Sequence, residues 1–141
     1  MQEFNPDCTI NLCLESQGHP AKIAWCCSVV NDSNFRVIVA SRFLGKASFE
    51  NSLMAVLKFG LEQALRLRVE KLHLATDLPV DDLFNEKKSG RSRYPKLQSE
   101  IEACNFMWNS FRLKKRVSVS TQERSFLRAE AEKFFKRGVR G

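Results

Sequence analysis

Apolar and polar residues alternate through the first part of the chain in three runs. From Cys8 to Glu15, Ile10, Leu12 and Leu14 fall on one face and Thr9, Asn11 and Cys13 on the other, the period of two that marks a half-buried strand. Ala21 to Val30 and Phe35 to Phe43 are rich in β-branched and aromatic residues, which suit a pleated surface. Asn31-Asp32-Ser33-Asn34 separates those two runs, and four turn-formers in a row predict a hairpin.

The period then changes. Behind Ser48, a residue suited to cap a helix, Leu53, Val56, Leu57, Gly60, Leu61, Ala64 and Leu65 recur at helical spacing. Gly60 lies on that apolar stripe, although a mid-helix glycine costs about 1 kcal/mol; close packing against a sheet is the reading that accounts for it. Lys71 to Thr76 predicts a fourth strand, and a helix between two strands implies a parallel pair joined by a right-handed crossover. Pro79 to Asn85 predicts a short helical piece, followed by a polar loop. Leu97, Ile101, Cys104, Trp108 and Phe111 mark a further helix, with Pro95 near its start. Val117 and Val119 alternate with serines as a short fifth strand. Ser120-Thr121-Gln122-Glu123 has the form of a capping box and opens a last helix to about Arg137, with Gly138 as its terminator. The order β-β-β-α-β-α-β-α predicts an α/β domain with a five-stranded mixed sheet, occupying residues 1–141 without internal repeats.

Composition narrows the class. The 43% apolar and 28% charged fractions of the 141 residues are those of a globular protein, and no apolar run reaches the roughly 18 residues of a membrane span. The segment from Met1 to Asp7 carries acids and no basic region, so no secretory signal is expected. Five cysteines (Cys8, Cys13, Cys26, Cys27 and Cys104) show no C-x-x-C spacing. They read as reduced core residues of an intracellular protein, nuclear or cytoplasmic. Zinc would need clustered Cys and His, which neither His19 nor His73 has around it.

The net charge of +7 is unevenly spread. From Arg112 to Gly141 there are ten Lys/Arg against three Glu, a surplus equal to that net charge. A second basic run, Lys87 to Lys96, holds five cations and no acid. Clustered cations suit a polyanion, because neutralised phosphates release condensed counterions. A solvated surface with a basic tail is the simpler alternative.

Several segments in this order resemble ribonuclease H-like domains of the plant, retroelement-related type. Val29 to Ile38 is similar to the strand–turn–strand of those domains. Leu57 to Asp77, with Gly60-Leu61 and Ala64-Leu65 leading into Val69-Glu70-Lys71-Leu72-His73-Leu74-Ala75-Thr76-Asp77, is similar to their first helix and fourth strand. Ala131-Glu132-Lys133-Phe134-Phe135 resembles their closing Ala-Asp-x-Leu-Ala. The likeness runs from about residue 8 to 138 and implies the ribonuclease H fold.

It also implies a reaction to test: cleavage of RNA–DNA hybrids by two divalent cations, Mg²⁺ or Mn²⁺, held by four acids. Two metals clamp the attacking and leaving oxygens, and hard cations take carboxylate oxygen. By the resemblance, the third acid is Asp77 and the fourth is Glu132, or Glu130 if the register shifts. The first and second fall on Cys13 and Leu53. Leucine offers no ligand and a thiol is a poor donor to Mg²⁺; Glu15 and Glu50 stand nearby as substitutes. The resemblance therefore implies a vestigial site with no resident cofactor, or Mg²⁺ or Mn²⁺ if activity remains. Asp77 has a structural alternative as a helix N-cap, and Glu132 has one as a rung of a charge ladder with Arg128 and Lys136.

Lys87 to Lys96 occupies the place of the basic protrusion by which such domains touch a hybrid's backbone. The expected function is binding of RNA–DNA hybrid or structured RNA through Lys87, Lys88, Arg91, Arg93, Lys96, Arg128 and Lys136. The competing readings are a scaffold for a protein partner and an active hybrid ribonuclease. No membrane role is expected.

Overall fold

A computed structural model of the chain describes residues 5–18, 22–81 and 97–138, with side chains to residue 135 in the last stretch. Five strands form one sheet: β1 (Cys8–Gln17), β2 (Lys22–Asn31), β3 (Arg36–Lys46), β4 (Lys71–Thr76) and β5 (Leu113–Val117). Their spatial order is β3-β2-β1-β4-β5, with β1, β2 and β3 antiparallel and β1–β4 and β4–β5 parallel. Among the described residues, three longer helices accompany them: α1 (Phe49–Arg66), α2 (Gln98–Ser110) and α3 (Thr121–Gly138). The helical piece expected from Pro79 is described only to Asp81, and the basic run from Lys87 to Lys96 lies outside the described residues.

The hairpin between β2 and β3 forms because the Asn31 side-chain oxygen accepts from the backbone N–H groups of Ser33 and Phe35. Asn34 follows in the left-handed region at φ 68°, which asparagine tolerates. α1 starts where Ser48 Oγ accepts from Asn51 N at 3.1 Å. The fifth strand departs from expectation. It spans Leu113–Val117, over Lys114, Lys115 and Arg116, and Val119 lies beyond it, buried. An edge strand need not be apolar, and lysines there discourage pairing with another chain.

Alternation sorts the sheet into two faces. Ile10, Leu12, Trp25, Cys27, Val29, Leu72 and Leu74 pack against α1 and α2 in the main core. Cys13, Ala24, Cys26 and Ala75 point the other way, toward Leu127 and Ala131 of α3. All five cysteines are free and buried. Trp25 is a core residue, in ring contact with Phe59. Trp108 packs at the core margin with Lys114 Nζ 5.8 Å from its ring centre. α3 is fastened across the far half of the sheet. Glu123 accepts from Ser28 Oγ at 2.5 Å and pairs with Arg36 at 2.9 Å. Phe134 and Phe135 meet Phe43 at centroid distances of 6.2 and 6.1 Å.

Candidate functional site

The last paired residues of the central parallel ladder are Leu12 and Thr76. Thr76 Oγ1 donates to the Leu12 carbonyl at 3.1 Å and accepts from Leu78 N, which turns the chain at the strand end. One step further along that register puts Cys13 beside Asp77, both on the face that α3 covers. Cys13 and Asp77 are thus neighbours at the end of the β1–β4 ladder.

What faces Asp77 is a cation. Arg124, in the first turn of α3, places a guanidinium nitrogen 2.8 Å from the Asp77 carboxylate. Four residues on, Arg128 pairs with Glu15 of β1 at 3.5 Å. Residues at i and i+4 share one helix face, so two arginines of α3 are matched to two carboxylates from adjacent strands. Cys13 sits among these charges. Burial pushes its thiol up to about 11, reinforced by Glu15 and opposed by Arg124, so it is protonated at neutral pH. Cys26, its cross-strand partner, is pushed up to about 12 by the same cause.

The other sequence-derived positions are dispersed. Leu53 is 2% exposed and belongs to the main core, while the adjacent Ser52 donates to the Ser48 carbonyl at 2.8 Å. Glu132 is exposed on α3. It lies eight residues beyond Arg124, about 12 Å along the axis at the rise of a helix. Glu130 is half-buried and pairs with Lys133 at 3.0 Å. Lys136 falls within α3, and its side chain is outside the described residues. Lys87, Lys88, Arg91, Arg93 and Lys96 are outside them as well.

This donor set does not suit two hard cations. It comprises a protonated thiol, a leucine, a carboxylate already held by a guanidinium and a distant glutamate. Among the described residues, no group of three or more His, Cys, Asp or Glu side chains stands ready to hold a metal ion. His73, on the same sheet face, has its imidazole held below the usual range by burial and by Lys115.

Sequence reasoning did not single out Arg124, or Glu123 beyond its capping pattern. Ser120 Oγ does accept from Glu123 N at 3.2 Å, but the Glu123 carboxylate turns into the sheet to meet Ser28 and Arg36. The signal for the arginines was their i,i+4 spacing on the helix face beside Leu127. Their partners sit on strands far away in sequence, which spacing alone does not disclose.

No protein-family model matches the sequence, and no curated protein matches it. Solved structures do match in shape. The chain is similar to ribonuclease H1 of the halophilic archaeon Halobacterium salinarum NRC-1, with 17% identity, TM-score 0.68, and coverage of 92% of this chain and 98% of that one. It is similar to LC11-RNase H1 in complex with an RNA/DNA hybrid, with 9% identity, TM-score 0.66, and coverage of 89% and 94%. It is also similar to the foamy viral protease-reverse transcriptase in complex with dsDNA, with 10% identity, TM-score 0.66, and coverage of 92% and 93%. With the strand order, the mixed sheet and the helices in their places, the chain has the ribonuclease H fold.

Proposed function

We propose that this chain is a nucleic-acid-binding domain on the ribonuclease H fold in which two-metal hydrolysis has been lost. The observation that carries this reading is the Arg124 guanidinium seated on Asp77. A carboxylate engaged by a fixed cation beside a protonated thiol is a poor host for Mg²⁺ or Mn²⁺. Asp77 and Glu132 are then vestiges of an acid set whose other two positions hold Cys13 and Leu53. The ligand is RNA–DNA hybrid or structured RNA, supported by the net charge of +7 and by the hybrid bound to one structural neighbour. Contacts come from Lys87, Lys88, Arg91, Arg93, Lys96, Arg128 and Lys136, which hold phosphates without reading bases.

Fluorescence anisotropy with a labelled RNA–DNA hybrid tests this. Each neutralised phosphate adds about 0.9 to the slope of log affinity against log salt. With the contacts named, affinity should therefore fall about a thousandfold or more between roughly 50 and 200 mM salt, and a flat response would sink the proposal. Hybrid cleavage in Mg²⁺ or Mn²⁺ that is abolished by Asp77→Asn would overturn the loss of catalysis. A scaffold for a protein partner is the second reading, favoured by Phe35, Val37 and Val39, which are exposed along the β2–β3 turn and edge strand β3. A partner retained after nuclease treatment would support it.

A further inference from the structure

Two arginines on one helix face, one paired with Glu15 of β1 and one with Asp77 just beyond β4, have a chemistry of their own. An arginine carries five N–H donors in a rigid fork. The Arg124–Asp77 contact engages one guanidinium nitrogen, at 2.8 Å, and the Arg128–Glu15 contact engages the Nε of Arg128, at 3.5 Å. Arg124 and Arg128 remain 54% and 59% exposed, so donors of both groups face solvent. The carboxylates draw the guanidinium groups to one side, and a fork whose motion is restrained loses less freedom when it binds an oxyanion. Planar, bidentate recognition of phosphate is what arginine does best. The carboxylates also cancel much of the local charge, so recognition here depends on directed hydrogen bonds rather than on a broad positive field.

We propose that Arg124 and Arg128 form a guanidinium clamp for a backbone phosphate of the bound nucleic acid, with Asp77 and Glu15 orienting the clamp. This rests on the nucleic-acid-binding reading above and specifies where a phosphate is gripped and by what. Binding through the clamp requires no divalent ion. Asp77 acts here on a cation of the chain itself and makes no contact with the ligand.

The test is hybrid affinity at fixed salt in EDTA for the wild type, Arg124→Gln, Arg128→Gln, Arg124→Lys and Asp77→Asn, with thermal unfolding of each. Wild-type binding should persist in EDTA. Each glutamine variant should weaken it about tenfold, the scale of one charge-assisted hydrogen bond, and Arg124→Lys should recover part of the loss. Asp77→Asn should weaken binding by less than the glutamine variants, because Arg124 keeps its charge and donors and loses only the carboxylate that orients it. A purely structural ion pair requires Asp77→Asn and Arg124→Gln to lose affinity equally and in step with their unfolding temperatures, and a metal site requires binding to collapse in EDTA; either result overturns the clamp. Wild-type binding with unaffected glutamine variants overturns the clamp alone. No wild-type binding under any condition removes the nucleic-acid reading and the clamp with it. Unfolding temperatures keep the comparison valid, since both arginines are at the surface and Arg124→Lys preserves charge if a glutamine variant loosens α3.

Discussion

Gly60 shows how one residue sets the distance between a helix and a sheet. A Cβ built on it would lie 2.7 Å from Ile10 Cγ2 and 2.9 Å from Leu12 Cδ2, closer than carbon atoms pack. The Leu12 methyl sits at the end of a side chain that can turn, but Ile10 Cγ2 is fixed to a β-branched carbon in the central strand. Alanine would gain about 1 kcal/mol of helix propensity. It would lose more by pushing α1 off β1, because overpacking a core costs about 1–3 kcal/mol. Gly60→Ala should therefore destabilise the protein slightly despite the better helix former, as a lower urea midpoint. An increase would mean that α1 can shift freely. This contact was legible in the sequence, because a glycine on the apolar stripe of a helix marks a place where the sheet leaves no room for a side chain.

At the scale of elements, α3 depends on a buried carboxylate as well as on apolar packing. Leu127 and Ala131 are fully buried, but Phe126, Phe134 and Phe135 are only partly covered. Glu123 reaches past them to the fully buried Ser28 hydroxyl and to Arg36, whose guanidinium also lies 3.9 Å from the Phe126 ring centre. That pairing holds the Arg36 guanidinium above its usual range. Glu123→Ala strands a buried hydroxyl, a loss of about 1–3 kcal/mol. Glu123→Gln keeps an acceptor for Ser28 and should cost less. Thermal unfolding should rank the wild type above the glutamine variant and that above alanine; equal values for the two variants would leave the hydroxyl without importance. The helix itself was readable from its cap and period, whereas its fastening was not. Ser28 and Glu123 are 95 positions apart, and nothing local in either segment reveals the pairing. The fifth strand was expected, but a few residues too late for a related reason: an edge strand bearing Lys114, Lys115 and Arg116 lacks the apolar alternation that marks strands in the interior.

For the molecule as a whole, the order of elements sufficed for the fold because each period change was clear and the crossover rule left few ways to arrange the strands. The site was legible only as positions. That Cys13 and Asp77 are neighbours followed from the fold, but their occupation by an arginine-held carboxylate and a protonated thiol required coordinates. A titratable group also joins the start of the β1–β4 pair. Ahead of β1, the Asp7 carboxylate accepts from the backbone N–H groups of Glu70 and Lys71, each at 3.0 Å, while Asp7 N donates to the Lys71 carbonyl at 2.8 Å. These hydrogen bonds from Glu70 and Lys71 hold the Asp7 carboxyl below its ordinary value of 3.8. A depressed carboxylate contributes stability that is fully present above its unfolded-state pKa and is lost as pH falls through the folded one. Asp7→Asn keeps an oxygen acceptor without the charge and cannot titrate. The stability gap between wild type and Asp7→Asn should thus be constant above about pH 5 and close below about pH 4. Urea midpoints of both proteins from about pH 6 down to about pH 2 decide it, because a gap unchanged at low pH would show that the Asp7 charge contributes nothing to joining β1 and β4.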